Sequence, residues 1–310
     1  MSVVQDALPI WGLEGSKASL VAARENAVFR VERSQGPLAL RVHRQGYRTD
    51  AELRSELDWM AELANAGLSV PVPLASVSGE LLHRVKAHQV DVLSWLGGET
   101  LDTGLCKMDV QTRNATFNQF GLEIARLHEV SDSWIGAKTC DRPSWNLSGL
   151  IGEMPLWGRF WENPELTAKE RTLLVEFRNF ANNKLDALSA KLDYGLIHAD
   201  LVPANVMVDG NAIRFIDFDD GGFGYRLFEI ATALLKLQDE PDYHVLKTAL
   251  LAGYKSLRDL DTEALDLFLA LRAMTYVGWN ISRQNEDEIG KRNARFIAKA
   301  TELAGLVMDS

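Results

Sequence analysis

The segment GLIHADLVPANVMVDG (195–210) sets two short apolar runs, Leu196-Ile197 and Val206-Met207-Val208, around a loop that carries His198, Asp200 and Asn205. Runs of this length, bounded by turn residues, read as buried strands. A third run, AIRFIDF (212–218), follows Asp209-Gly210-Asn211, a strong hairpin signal. A hairpin brings its two ends together. Asn205 at one end and Asp217 at the other are therefore expected as neighbours, with Asp200 one loop away. An amide oxygen and a carboxylate suit Mg²⁺, which takes few protein ligands and completes its shell with phosphate oxygens. A separate carboxylate can accept the proton of a hydroxyl. Together these are the parts that phosphoryl transfer needs. His198 taken alone reads as a packed, hydrogen-bonded residue.

Around this centre the chain changes character along its length. AVFRVER (27–33) and PLALRVHR (37–44) read as strands joined at Ser34-Gln35-Gly36. A helix follows, capped by Thr49 or Asp50, with Leu53, Leu57, Met60 and Ala64 at helical spacing and Gly67 as its stop. LLHRV and HQVDVLSWL read as two more strands before Gly97-Gly98. From about residue 110 the pattern turns helical, with Phe117, Phe120, Gly121, Ile124 and Leu127 on one face. Residues 131–165 look irregular, a long helix is expected over roughly 166–192, and everything after Arg226 reads as helices broken near Pro241 and Asp259–Asp261. The expected class is α+β: a small antiparallel-sheet lobe with one helix over 1–93, a hinge over 94–100, and a large, mainly helical lobe over 101–310.

Charge and cysteine content narrow the partners. Residues 1–90 hold 10 basic and 10 acidic side chains, so the net charge of -10 belongs to the rest of the chain. An acidic body of this kind repels nucleic acid and anionic membranes and attracts a cationic small substrate. No apolar run is long enough to span a bilayer, and the N-terminus has no basic segment of the secretory type. Cys106 and Cys140 stand far apart, which fits a reducing cytoplasm.

The pattern H-x-D-x-x-x-x-N over 198–205, followed by an aspartate at the end of the adjoining strand, matches the kinase catalytic loop and its metal-binding acid. GLIHADLVPANVMVDG…RFIDFDDGGFGYRLFEIATAL resembles the aminoglycoside phosphotransferase and choline kinase group, the phosphotransferase enzyme family, and 25–74 resembles that group's N-terminal lobe. The resemblance implies a two-lobed, protein-kinase-like fold and ATP with Mg²⁺ as phosphate donor. It makes Asp200 the general base, Asn205 and Asp217 the metal ligands, and His198 the brace of the loop. Arg41 stands where the family usually has Lys, and Glu56 is the expected partner, with Glu52 as rival. The first turn, Arg24-Glu25-Asn26, lacks the glycines of protein kinases, and Asn26 is its candidate nucleotide contact. Ser94, Trp95 and Leu96 match the connector that holds adenine by backbone groups, with the Trp95 side chain expected in the core. Glu229 is expected to anchor its helix to the catalytic loop. Asp219, Tyr225 and Trp279 are candidate acceptor contacts, and Thr275, Tyr276, Trp279 and Arg283 are expected to share one helical face. The acceptor implied is a small, amine-bearing alcohol: an amino alcohol, a hydroxy amino acid such as homoserine, or an aminosugar. A protein Ser/Thr kinase of the same family and a nucleotide-binding pseudokinase stay open at this stage, as do ATP against GTP and the oligomeric state.

Overall fold

The computed structural model describes residues 2–23, 26–286 and 291–309. The first hundred residues form α1 (Val3–Ala7), β1 (Ala18–Ala23), β2 (Asn26–Val31), β3 (Leu38–His43), α2 (Asp50–Asn65), β4 (Leu82–Val85), β5 (His88–Ser94) and β6 (Glu99–Thr100). The middle holds α3 (Leu101–Gly104), α4 (Val110–Ser133), β7 (Ser144–Trp145), α5 (Leu147–Ile151), α6 (Ala168–Leu188) and β8 (Tyr194–Ile197). Then come β9 (Val206–Asp209), β10 (Ala212–Phe215), β11 (Gly222–Tyr225), α7 (Arg226–Leu235), α8 (Tyr243–Lys255), α9 (Leu265–Trp279) and α10 (Lys291–Asp309). Two compact units result. One comprises residues 1–108, 129–142 and 204–219, the other 109–128, 143–203 and 220–310.

The first unit is built on a five-stranded antiparallel sheet in the order β1-β2-β3-β5-β4. Its core gathers Val31, Leu38, Leu40, Val42, Val90 and Val92 with Val4, Ala7 and Leu8 of the N-terminal segment. That segment, helical over α1, is an element the sequence pattern did not announce. Thr49 caps α2 in a reciprocal capping box: its hydroxyl accepts from the Glu52 amide, and the Glu52 carboxylate accepts from the Thr49 amide. The same unit contains the small sheet β10-β9-β6, whose hairpin turns on Gly210 at φ 60.

The second unit is mainly helical, with one short sheet in the order β7-β11-β8. The sequence reading missed β11, because GFGY has no apolar alternation. Its glycines are what pairing requires: a Cβ at Gly224 would lie 2.4 Å from Ile197 Cδ1. Every residue of α7 is buried, Arg226, Glu229 and Thr232 included. Helices α4 and α8 meet at a pair of glycines, with room for no side chain on either. A Cβ at Gly121 would lie 1.9 Å from the Leu250 carbonyl oxygen, and one at Gly253 would lie 1.8 Å from that of Asn118.

That contact sets a stability test. Gly121→Ala or Gly253→Ala is expected to lower unfolding free energy by about 2–3 kcal/mol through forced separation of the helices. Gly305→Ala in α10, where a Cβ meets nothing within 4 Å, is expected to be neutral or to stabilise by about 0.5–1 kcal/mol. Urea midpoints of the three variants read the difference.

Candidate active site

In the first unit, β3 and β5 pair so that Arg41 stands directly opposite Asp91. Directly opposed residues on antiparallel strands share a face, and here they form a forked ion pair. Arg41 Nε donates to Asp91 Oδ1 at 2.8 Å and Nη2 to Oδ2 at 2.8 Å. Arg41 Nη1 donates to Glu56 Oε1 of α2 at 2.7 Å. Glu56 is thus the partner in this structure, while its rival Glu52 serves the cap of α2. The other Glu56 oxygen accepts from Arg142 Nη1 at 3.0 Å, and His43 Nε2 lies 2.7 Å from Asp91 Oδ2. All of these side chains are buried. Burial is the largest influence and opposes the charge on Asp91, but Arg41 and His43 together outweigh it and hold the carboxyl well below the usual carboxylate range.

The hairpin sits in the same unit. Its register carries Val206 opposite Phe215, and the Ile216 amide donates to the Asn205 carbonyl at 3.0 Å. The backbones of Asn205 and Asp217 therefore lie at the same end of the hairpin. Asp217 adopts φ 69, in the left-handed region. Among the described residues no three His, Cys, Asp or Glu side chains cluster as a metal site. The donors at the hairpin end are an amide and a carboxylate, which fit an ion whose remaining ligands come from a nucleotide. Two residues on, Asp219 is buried, and its Oδ1 has no partner among the described residues. Burial, then the charge of Glu56, pushes its carboxyl up. Its backbone oxygen accepts from Arg142 at 2.6 Å and from Arg48 at 3.0 Å.

The connector residues lie at the end of β5. Ser94 exchanges bonds with Val72: its amide donates to the Val72 carbonyl and its hydroxyl accepts from the Val72 amide, each at 2.8 Å. Trp95 and Leu96 are half-buried. The core position expected for Trp95 is not realised. Its ring lies under the Arg30 guanidinium, 5.0 Å from the centroid, because the strand ends before it and leaves the side chain at the edge. Asn26 begins β2, and its side-chain oxygen accepts from the Arg44 amide at 3.4 Å. Arg24 and Glu25 of the same turn lie outside the described residues.

In the second unit, β8 leads into His198, Ala199 and Asp200. Ala199 adopts φ 65, a conformation that costs a non-glycine residue energy. Glu229 of α7 holds it there. Its two oxygens accept from the His198 amide at 2.6 Å and the Ala199 amide at 2.8 Å. Burial pushes the Glu229 carboxyl up to about 7. The buried His198 ring accepts from the Asp200 amide at 3.4 Å, a brace for the corner. Asp200 Oδ1 accepts from Arg272 Nη2 of α9 at 2.6 Å. Trp157 and Tyr276 each place a ring 4.5 Å from the Arg272 guanidinium. Tyr225 ends β11 opposite Tyr194, edge-on at 5.3 Å, and also meets Phe268. Trp279 ends α9, with the Arg283 guanidinium 4.3 Å and the Arg292 guanidinium 5.2 Å from its ring centroid. The shared helical face expected for Thr275, Tyr276, Trp279 and Arg283 stops at Trp279, since Arg283 has left helical geometry at φ -119.

Four partners escaped the sequence reading. Asp91 and Arg272 each left a signal, a lone charge inside an apolar strand (QVDVL) and inside an apolar helix (LFLALRAMTYVGW). Arg142 and Trp157 come from the irregular stretch and left none. The Arg41 cluster makes a prediction. Asp91→Asn strips a buried guanidinium of its strongest partner and is expected to cost about 3–5 kcal/mol. The folded carboxyl titrates below its unfolded value of about 3.9. Its stabilisation is therefore complete above that value and is lost as pH falls through the folded one. Urea midpoints between pH 5 and pH 2 are expected to fall less steeply in the variant than in the parent chain.

The profile of the phosphotransferase enzyme family matches residues 18–289. A homoserine kinase of Sinorhizobium medicae is 30% identical over 250 residues, spanning 78% of this chain and 70% of its own. Among solved structures, a microcompartment-associated aminopropanol kinase is 28% identical, with a TM-score of 0.82 over 99% of this chain and 96% of its own. The amicoumacin kinase hAmiN, solved with AMP-PNP, Ca²⁺ and Ami, shares 20% identity and a TM-score of 0.80 over 98% of this chain and 92% of its own, a likeness of fold. The mixed architecture, an antiparallel sheet with a large helical region, is that of the protein-kinase-like phosphotransferases. The chain belongs to the phosphotransferase enzyme family and is a kinase of the small-molecule type.

Proposed function

We propose that this protein transfers the γ-phosphate of ATP to the hydroxyl of a small amino alcohol. The observation that carries the reading is the corner at Asp200. A buried glutamate grips two successive amides and so holds an acid at the end of β8 in the sequence setting of a kinase base. In this reading residues 1–93 form the nucleotide lobe, 94–100 the hinge and 101–310 the acceptor lobe. The Ser94–Leu96 backbone holds adenine, and Arg41, fixed by Glu56, faces the phosphates with Asn26. Asn205 and Asp217 offer oxygens to Mg²⁺, which when bound supplies charge neutralisation at the phosphate oxygens. Asp200 takes the hydroxyl proton as the alcohol oxygen bonds to the γ-phosphorus and the bond to the ADP oxygen breaks. The products are a phosphate monoester and ADP. The likeness to an aminopropanol kinase and the acidic charge of residues 91–310 support an acceptor that carries an amine. The free cysteines Cys106 and Cys140 suit work in the cytoplasm. No helix among the described residues is long and apolar enough to cross a membrane.

Coupled ADP release with MgATP tests the reading on 1-amino-2-propanol, ethanolamine, choline, L-homoserine and glycerol. The expected result is the highest kcat/KM with an amino alcohol, and a loss of about 10²–10⁴-fold in kcat for Asp200→Asn. Equal use of glycerol would remove the amine. Nucleotide binding without turnover on any alcohol would leave a pseudokinase.

A further inference from the structure

Helix α9 is apolar and buried on nearly every face, yet it carries Arg272 in its middle. A buried cation without compensation is costly, so what surrounds it is informative. The Trp157 and Tyr276 rings, 6.3 Å apart, cover two adjacent sides of the guanidinium, with Phe228 at 5.7 Å. Nη2 donates to the Tyr276 hydroxyl at 3.2 Å and Nη1 to Thr275 Oγ1 at 3.2 Å. Nε has no partner among the described residues. Its carboxylate partner among the described residues is Asp200, at 2.6 Å. The Arg272 side chain is 0% exposed, whereas Asp200 keeps 22%. The cation therefore approaches the carboxylate from the buried side.

The cage itself is built for this. Trp157 precedes Gly158, which has φ 87, and the Trp157–Gly158 backbone lies against Gly278 of α9. A Cβ at Gly278 would stand 2.5 Å from the carbonyl oxygens of both Trp157 and Gly158. Only glycine there lets Trp157 close over Arg272. Trp145 holds Trp157 edge-on at 5.3 Å and stacks on Phe228 at 5.4 Å.

We propose that Arg272 is the positioning residue of Asp200, an internal cation, locked in an aromatic cage, that fixes the carboxylate's orientation and keeps it ionised for proton transfer. The proposal rests on the reading of Asp200 as the base. Buried charges are little screened by solvent, so a contact of 2.6 Å from a fully buried guanidinium acts strongly. Tyr276 of α9 and Glu229 of α7 feel the charge of Asp200, and His198 of its own loop accepts from its amide; Arg226 of α7 in turn acts on Glu229, and Asp220 on Tyr276. Tyr276, pushed up to about 12 by burial, stays neutral through the working range.

The test measures Asp200 itself, without an acceptor. In protein labelled with carboxyl-¹³C aspartate, the Asp200 resonance is assigned by its loss in Asp200→Asn and titrated in the parent chain, Arg272→Gln, Arg272→Lys and Trp157→Leu. The parent midpoint is expected below the ordinary value of about 3.9. Arg272→Gln is expected to raise it by about one to three pH units, and Trp157→Leu by about half a unit or more. Arg272→Lys keeps the charge and is expected to leave the midpoint in place. With MgATP and 1-amino-2-propanol, the acidic limb of kcat is expected to move with the midpoint. If Arg272→Gln does not fold, Trp157→Leu carries the measurement. Unmoved midpoints in the folded variants overturn the proposal, even where activity falls. Retention of turnover in Asp200→Asn, with midpoints that still move, would instead remove Asp200 as the base and leave its hold by Arg272 intact.

Discussion

The corner at His198–Asp200 exists because a buried carboxylate faces it. Ala199 sits in a backbone region that non-glycine residues avoid, and two successive amides there point inward with no strand to receive them. Glu229 receives both. Burial makes that carboxylate reluctant to ionise, while the two amides favour the charged form, and the balance leaves it near neutrality. The helix that carries Glu229 is buried along its whole length, so the grip does not drift. One side chain thereby converts a strained turn into a fixed platform for Asp200.

The first unit uses a different device. Arg41 is a strand residue whose fork is matched to the two oxygens of Asp91, with a third bond left for Glu56. Glu56 is in turn shared with Arg142, which also ties down the Phe218 and Asp219 carbonyls. Charges alternate through this set: guanidinium, carboxylate, guanidinium. The backbone just beyond Asp217 is fixed by the same arginine that fixes the helix glutamate.

Much of this was legible in the sequence because it is local. The hairpin around Gly210 and the Thr49 cap follow from spacing along one element, whereas the helix glutamate at 56 and the anchoring role of Glu229 were legible only through the resemblance to the family. What was not legible is contact across long separations. Asp91 faces Arg41 only once strand register is known, and Arg142 and Trp157 come from a stretch with neither helical nor strand period. Trp95 misled because an aromatic residue at a strand end reads as core until the strand's last paired residue is known. β11 was hidden by its glycines, which report the closeness of β8 and not a break in the chain.

The fork on Arg41 has an evolutionary consequence. Lysine offers a single ammonium group and cannot span both Asp91 oxygens while also reaching Glu56. A one-step exchange of Arg41 for lysine would leave the buried Asp91 with His43 and without its forked partner. A neutral residue at 91 with arginine retained would leave the guanidinium with Glu56 as its remaining carboxylate among these contacts. The two positions are therefore an epistatic pair. A change at either position is expected to be tolerated better when the other changes with it.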